Sequence, residues 1–79
     1  MSQLVDLTRA LAEALVGRPE LVHVSERQRG DETVLEVSVD DDDRGRIIGR
    51  RGATVSALRT VLSAAAERQG TRCRVEIVE

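Results

Sequence analysis

The chain has no Phe, Tyr or Trp in its 79 residues. An aromatic platform for stacking nucleic-acid bases is therefore excluded. Lys is absent too, and all 12 basic residues are Arg. That removes a Schiff-base lysine and a phosphate-loop lysine. A single Cys, Cys73, rules out an internal disulfide. Set in an apolar alternation, it reads as core filler rather than a reactive thiol. The one His, His23, has no Ser or Cys positioned as its nucleophile, and it reads as a surface or interface side chain. With no acid–base pair or nucleophile–base set in view, the chain reads as a non-enzyme, without cofactor, metal or small-molecule substrate. No apolar run is long enough for a membrane span, and no leader pattern precedes the first amphipathic segment. The sequence thus reads as a soluble, intracellular protein.

What is present is charge, unevenly placed. The net charge is −2, yet residues 1–43 hold 11 acids and 4 arginines, whereas residues 44–79 hold 3 acids and 8 arginines. Such asymmetry is compatible with a polyanion surface on a chain that is acidic overall. The change of sign falls within residues 40–55, DDDDRGRIIGRRGATV, where four aspartates run into four arginines punctuated by glycines.

Residues 2–16 place Leu4, Leu7, Leu11 and Leu15 on one helical stripe, with Ser2 as cap and Gly17 and Pro19 as stops. Residues 20–29 read as a strand, and Arg29-Gly30-Asp31-Glu32 as a hairpin loop. Residues 33–39 alternate, with Leu35, Val37 and Val39 inward and Glu36 and Ser38 outward, which implies one buried and one wet sheet face. Asp40 to Asp43 end the strand and offer a helix cap and a solvated acidic face, with Arg44 and Arg46 as possible partners. A short helix over 43–48, the turn 49–52 and a second helix over 53–69 follow; the second helix carries Val55, Leu58, Leu62 and Ala65 on one stripe and ends at Gly70. Residues 71–78 form the last strand. The order is α-β-β-α-α-β, with about 30 residues between the second and third strands, a length that suits a right-handed crossover to a parallel strand. The expected architecture is α+β, a three-stranded mixed sheet with three helices on one face, in one domain over residues 1–79. Its expected core is Leu7, Leu11, Val37, Val39, Leu58, Leu62, Val75 and Ile77.

Three familiar readings of the glycine turn fail on named residues. A Walker A loop needs a Lys. A dinucleotide fingerprint needs Gly at position 47, which is Ile. An EF-hand starting at Asp40 would put Arg44 at its fifth position and Arg51 where a bidentate Glu belongs. What remains is a two-glycine turn between two helices. Gly49 and Gly52 allow close backbone approach, Arg50 and Arg51 project outward, and the following helix, beginning near Ala53, points free N–H groups at the turn. Ile47, Ile48 and Val55 can form an apolar floor, and Arg59, two turns along the second helix, can extend a basic groove.

The run Ile48-Gly49-Arg50-Arg51-Gly52-Ala53-Thr54-Val55-Ser56-Ala57-Leu58 resembles the K-homology (KH) signature, apolar-Gly-x-x-Gly-x-x-apolar-x-x-apolar. The preceding αββ and following αβ are similar to the bacterial type II arrangement, and the resemblance spans the whole chain. KH domains in general clamp about four backbone nucleotides of single-stranded RNA on a GXXG loop. The resemblance implies RNA contacts at Arg46, Ile47, Ile48, Gly49, Arg50, Arg51, Gly52, Ala53, Thr54, Val55 and Arg59, and a cytoplasmic role on small RNAs, mRNA or the ribosome, as an RNA chaperone or post-transcriptional regulator. It also implies homodimers and a larger KH-containing partner. Because a four-nucleotide clamp is small, useful affinity calls for a second copy or a partner. The competing reading is a protein–protein adaptor that uses the same platform for dimerisation or docking.

Overall fold

Ser2 begins the first helix as expected, its Oγ accepting the Val5 N–H at 3.3 Å. The computed structural model describes residues 2–78; Met1 and Glu79, the ends of the expected 1–79 unit, lie outside the described residues. Helix α1 runs Gln3–Leu15. Its buried line is Leu4, Thr8 and Ala12, an i, i+4 row, rather than the four leucines. Leu7 and Leu11 flank that row half-buried, and Leu15 is 40% exposed. The helix touches both the sheet and a later helix, and the row Leu4-Thr8-Ala12 faces that junction while Leu7 and Leu11 lie beside it on one side. Buried Thr8 is satisfied locally, its Oγ1 donating to Leu4 O at 2.6 Å.

The first strand starts later than residue 20. Pro19 opens a 3₁₀ turn, Pro19–Leu21, closed by Val22 N–H to Pro19 O at 3.1 Å. Strand β1 is His23–Arg29 and β2 is Glu32–Ser38. Arg29 pairs with Glu32, so the hairpin turns on Gly30-Asp31 alone, with Gly30 at φ +63°. A 3₁₀ turn at Asp41–Asp43 leads into α2, Arg44–Ile48. A further 3₁₀ turn, Arg50–Gly52, leads into α3, Ala53–Arg68. Gly70 at φ +75° stops α3, with Gly70 N–H on Glu67 O and Thr71 N–H on Ala66 O, both 3.0 Å, a Schellman closure. Strand β3 is Arg72–Ile77.

The sheet order is β1-β2-β3, with β1 antiparallel and β3 parallel to β2. This is the mixed α+β sheet expected. On its helix-facing side Leu35 pairs with Val75 and Val37 with Ile77. Val37, Val39, Leu58, Leu62 and Val75 are buried as expected, whereas Ile77, like Leu7 and Leu11, packs half-buried at the margin. The opposite side is drier than an alternating pattern implies: Val34 there is 0% exposed. Its neighbours across the sheet are Arg27 and Arg74, and Arg27 reaches Glu36 and Glu76, each at 3.6 Å. The aliphatic stems of arginines cover the valine while their heads stay in water. No helix among the described residues is long and apolar enough to cross a membrane.

Leu62 is fully buried at the centre of α3. Leu62→Ala is expected to cost ~2–5 kcal/mol, a large share of the ~5 kcal/mol that a domain this small commands. Urea melts should show a loss of unfolding free energy of that size; a loss below about 1 kcal/mol would contradict the central placement of this side chain.

Candidate nucleic-acid interface

The turn between α2 and α3 is built on three unusual backbone conformations within four residues, after a five-residue helix. Gly49 has φ 78°, ψ 171°, a region open essentially to Gly alone. Arg51 has φ 55°, ψ 29° and Gly52 φ 74°, ψ 15°, both left-handed. For Arg51 that conformation costs about 1–2 kcal/mol, so the surrounding contacts hold it there. Gly49 N–H returns to Gly45 O at 2.8 Å and Gly52 N–H to Gly49 O at 3.1 Å. A Cβ on Gly49 would run into the Thr54 hydroxyl and would sit 2.7 Å from the Thr54 backbone nitrogen. Gly49 therefore keeps the first turn of α3 uncovered. The N-cap of α3 is Gly52, which has no side chain to satisfy the free amides. A sixteen-residue helix thus points its positive dipole end into the turn.

Arg50 and Arg51 are exposed, and neither has an ion-pair partner among the described residues. Neighbouring arginines are engaged. Arg44 binds Asp41 at 2.6 Å, and Arg46, with a side chain 63% exposed, lies 3.4 Å from Asp43. The expected helix-capping role of the aspartates is corrected here, because no side chain caps α2. Asp43 is buried and turns away, accepting Gly17 N–H at 2.9 Å and Arg18 N–H at 3.0 Å. Those bonds, Gly17's first, with Arg46 and Arg18 nearby, hold the carboxyl below its ordinary range against the opposing effect of burial. A carboxylate so held stabilises the fold at neutral pH and loses that contribution as pH falls through its lowered range.

The apolar floor is also corrected. Ile47 is 0% exposed and Val55 7%, both sealed by packing, which leaves Ile48, at 37%, as the apolar side chain on the surface. Ala53 is exposed and Thr54 half-buried at the head of α3. Arg59 lies farther along, its Nη2 donating to Val75 O at 3.3 Å. Val78 N–H bonds back to Val37 O at 2.8 Å. Parallel-ladder alternation therefore turns the Val75 carbonyl to the free outer edge of β3, where Arg59 meets it. Between α3 and that edge runs an open cleft of about 580 Å³ lined by Glu32, Arg59, Ser63, Cys73, Arg74 and Val75. Of these the sequence pointed only to Arg59. Cys73 had read as core filler; it sits half-buried at the cleft, where burial pushes its thiol up and keeps it uncharged. The missing signal was which edge of β3 stays unpaired.

The family described as KhpA/KhpB, KH domain, matches residues 5–77. The chain belongs to the KhpA/KhpB KH-domain family. RNA-binding protein KhpA of Halalkalibacterium halodurans is 44% identical over 73 residues, covering 92% of this chain and 96% of that protein. RNA-binding protein KhpA of Clostridium perfringens is 38% identical over 73 residues, covering 92% of this chain and 97% of that protein. Among solved structures, Era in complex with MgGDPNP and nucleotides 1506–1542 of 16S ribosomal RNA superposes with a TM-score of 0.68 over 94% of this chain and 28% of that chain, at 19% identity. That last likeness is one of fold alone.

In this member of the KhpA/KhpB family the two loop glycines are not equivalent. A Cβ on Gly52 would meet only Val55 Cγ1, at 3.9 Å, and Asn tolerates its left-handed conformation. Gly49→Ala should lose roughly 1–3 kcal/mol or more, and Gly52→Asn less than about 1 kcal/mol. Thermal melts of the two variants check this; equal losses would contradict the geometry.

Proposed function

We propose that this chain is a non-catalytic KH module that binds single-stranded RNA through the loop Gly49-Arg50-Arg51-Gly52. The observation that carries the reading is the Gly-only conformation at Gly49, which leaves the uncapped start of α3 open beside two unpaired arginines. RNA phosphates lie over Arg50, Arg51 and the amide of Thr54, since the Gly52 and Ala53 amides already donate to Gly49 O and Arg50 O within the turn. Arg46 borders that track, Ile48 supplies the apolar surface for a base, and buried Ile47 and Val55 support it from beneath. Bases continue toward Arg59 and the α3–β3 cleft. The curated relatives are named RNA-binding proteins, which favours RNA as the polyanion. The whole chain serves as one KH unit acting in the cytoplasm, as an RNA chaperone or post-transcriptional regulator.

The loop arginines act by charge and so contribute without regard to base sequence. Neutralising two phosphates of a single strand adds about 0.7 each, roughly 1.4 together, to the log–log salt slope. Arg50→Asp with Arg51→Asp should remove that part of the slope and weaken binding, while exposed positions shift stability by no more than about 0.5 kcal/mol each. Titrating a fluorescently labelled single-stranded RNA at several salt concentrations measures both quantities. A folded double variant with unchanged affinity and slope would move the chain to the adaptor reading, to which these arginines are irrelevant.

Four nucleotides in one groove give weak binding, so the RNA reading carries a homodimer with it. The surface that suits a second copy is the apolar hollow where α1 meets α3, lined by Leu11, Leu15, Thr54, Ala57, Leu58 and Val61, with Leu15 40% and Val61 47% exposed. It includes Thr54, in the first turn of α3, so pairing there brings two loops within reach of one strand and raises avidity. Sedimentation at high micromolar concentration should show a dimer that Val61→Asp dissociates. A single monomeric species for the wild type would exclude the homodimer and leave a KhpB-like KH protein as the partner.

A further inference from the structure

Asp43 is 3% exposed, and its contacts reach across the chain rather than into the loop. One oxygen accepts Gly17 N–H at 2.9 Å and the other Arg18 N–H at 3.0 Å, on the backbone that leaves α1. The first of these oxygens also lies 3.4 Å from Arg46 Nη1, within α2. Gly17 completes the arrangement. A Cβ there would come to 2.6 Å from Arg46 Nη1 and 3.4 Å from Asp43 Oδ1, so a bare backbone lets carboxylate and guanidinium close over it. Helix α2 has five residues, too few to hold a direction by its own hydrogen bonds. Two anchors fix it, fully buried Ile47 beneath and the Asp43 carboxylate at its entrance. Everything from Ile48 to Arg50 hangs from the far end of this short helix, whereas Gly52 onward belongs to the well-packed α3.

We propose that Asp43 is a positioning residue for the RNA interface: by tying the exit of α1 to the entrance of α2, it sets where Ile48, Gly49 and Arg50 lie against the start of α3. Asp43 itself touches no RNA. The affinity part of this proposal rests on the RNA reading above; the ordering part does not.

The test compares the full-length wild type with Asp43→Asn, Gly17→Ala and a control, Val24→Ala, the half-buried residue of the otherwise exposed strand β1, away from the junction. Asn keeps the shape but loses the charge and one of the two acceptors. Gly17→Ala keeps the carboxylate and displaces only the Arg46 head. Two quantities are read at a temperature where all four are folded by circular dichroism: amide hydrogen exchange across residues 44–52, and affinity for a labelled, unstructured single-stranded RNA. Asp43→Asn should speed exchange throughout 44–52 relative to the control at matched stability, and weaken RNA binding by about fivefold or more, a modest coupling. Gly17→Ala should move both in the same direction by less. If Asp43→Asn gives no cooperative melt, Asp43→Glu, which keeps the charge but misplaces the two oxygens against the Gly17 and Arg18 amides, carries both readings. Faster exchange confined to Gly17 and Arg18, or RNA affinity equal to or tighter than wild type, overturns the proposal. A wild type that binds no RNA sinks the RNA reading, and the exchange pattern still decides whether Asp43 orders the loop.

Discussion

Parallel pairing of β2 with β3 cannot be closed by a hairpin, and that constraint organises the molecule. The chain must leave one end of β2 and re-enter beside its start, so residues 39–71 cross one face of the sheet as helices. β2 is thereby central, with Leu35 and Val37 covered by helices on one face and Val34 covered by arginine stems on the other. The same crossover forces a reversal between two helices. That reversal is the glycine turn, and β3, paired on one side only, supplies the free edge across from α3. Loop, helix start and cleft are consequences of a single topological requirement.

At the reversal, backbone conformation, charge and helix dipole reinforce one another. Gly49 adopts a conformation that side chains forbid, and that same lack of a Cβ keeps the Thr54 amide uncovered. Arg51 accepts a left-handed conformation at some expense in stability, which places an unpaired guanidinium beside the open helix end. The acids just before it are not a competing ligand for these arginines. Asp41 engages Arg44, and Asp43 is spent on backbone amides and Arg46. An acidic protein thus keeps a local cationic tip by settling its nearest carboxylates elsewhere.

Much of this was legible in the chain. Strand alternation in 33–39 and 71–78, the stripe Val55-Leu58-Leu62, the stops at Gly17, Pro19 and Gly70, and the two-glycine turn each follow from short-range geometry, in which a period or a φ preference dictates the element. The mixed sheet followed from one length, the interval before the last strand. The family matched over residues 5–77 agrees with the resemblance carried by the Ile48–Leu58 run.

Other features depended on which elements touch. The face of α1 that buries is Leu4-Thr8-Ala12 because α1 meets both the sheet and α3 along that row, and periodicity alone cannot say where the two contacts converge. Ile47 reads like Ile48 in sequence, yet one is sealed and the other open, since successive helical residues point about 100° apart and only one of the two faces the core. Asp43 reads as a cap in a run of four aspartates; its real partners lie 25 and 26 residues earlier, where no local pattern points. Cys73 and Arg74 became cleft residues only once β3 was an edge strand. The sequence by itself determined the elements and the loop's chemistry, because those are set by neighbours a few residues apart. Tertiary structure alone decided the aim of the loop and the walls of the cleft, because those are set by contacts between segments distant in the chain.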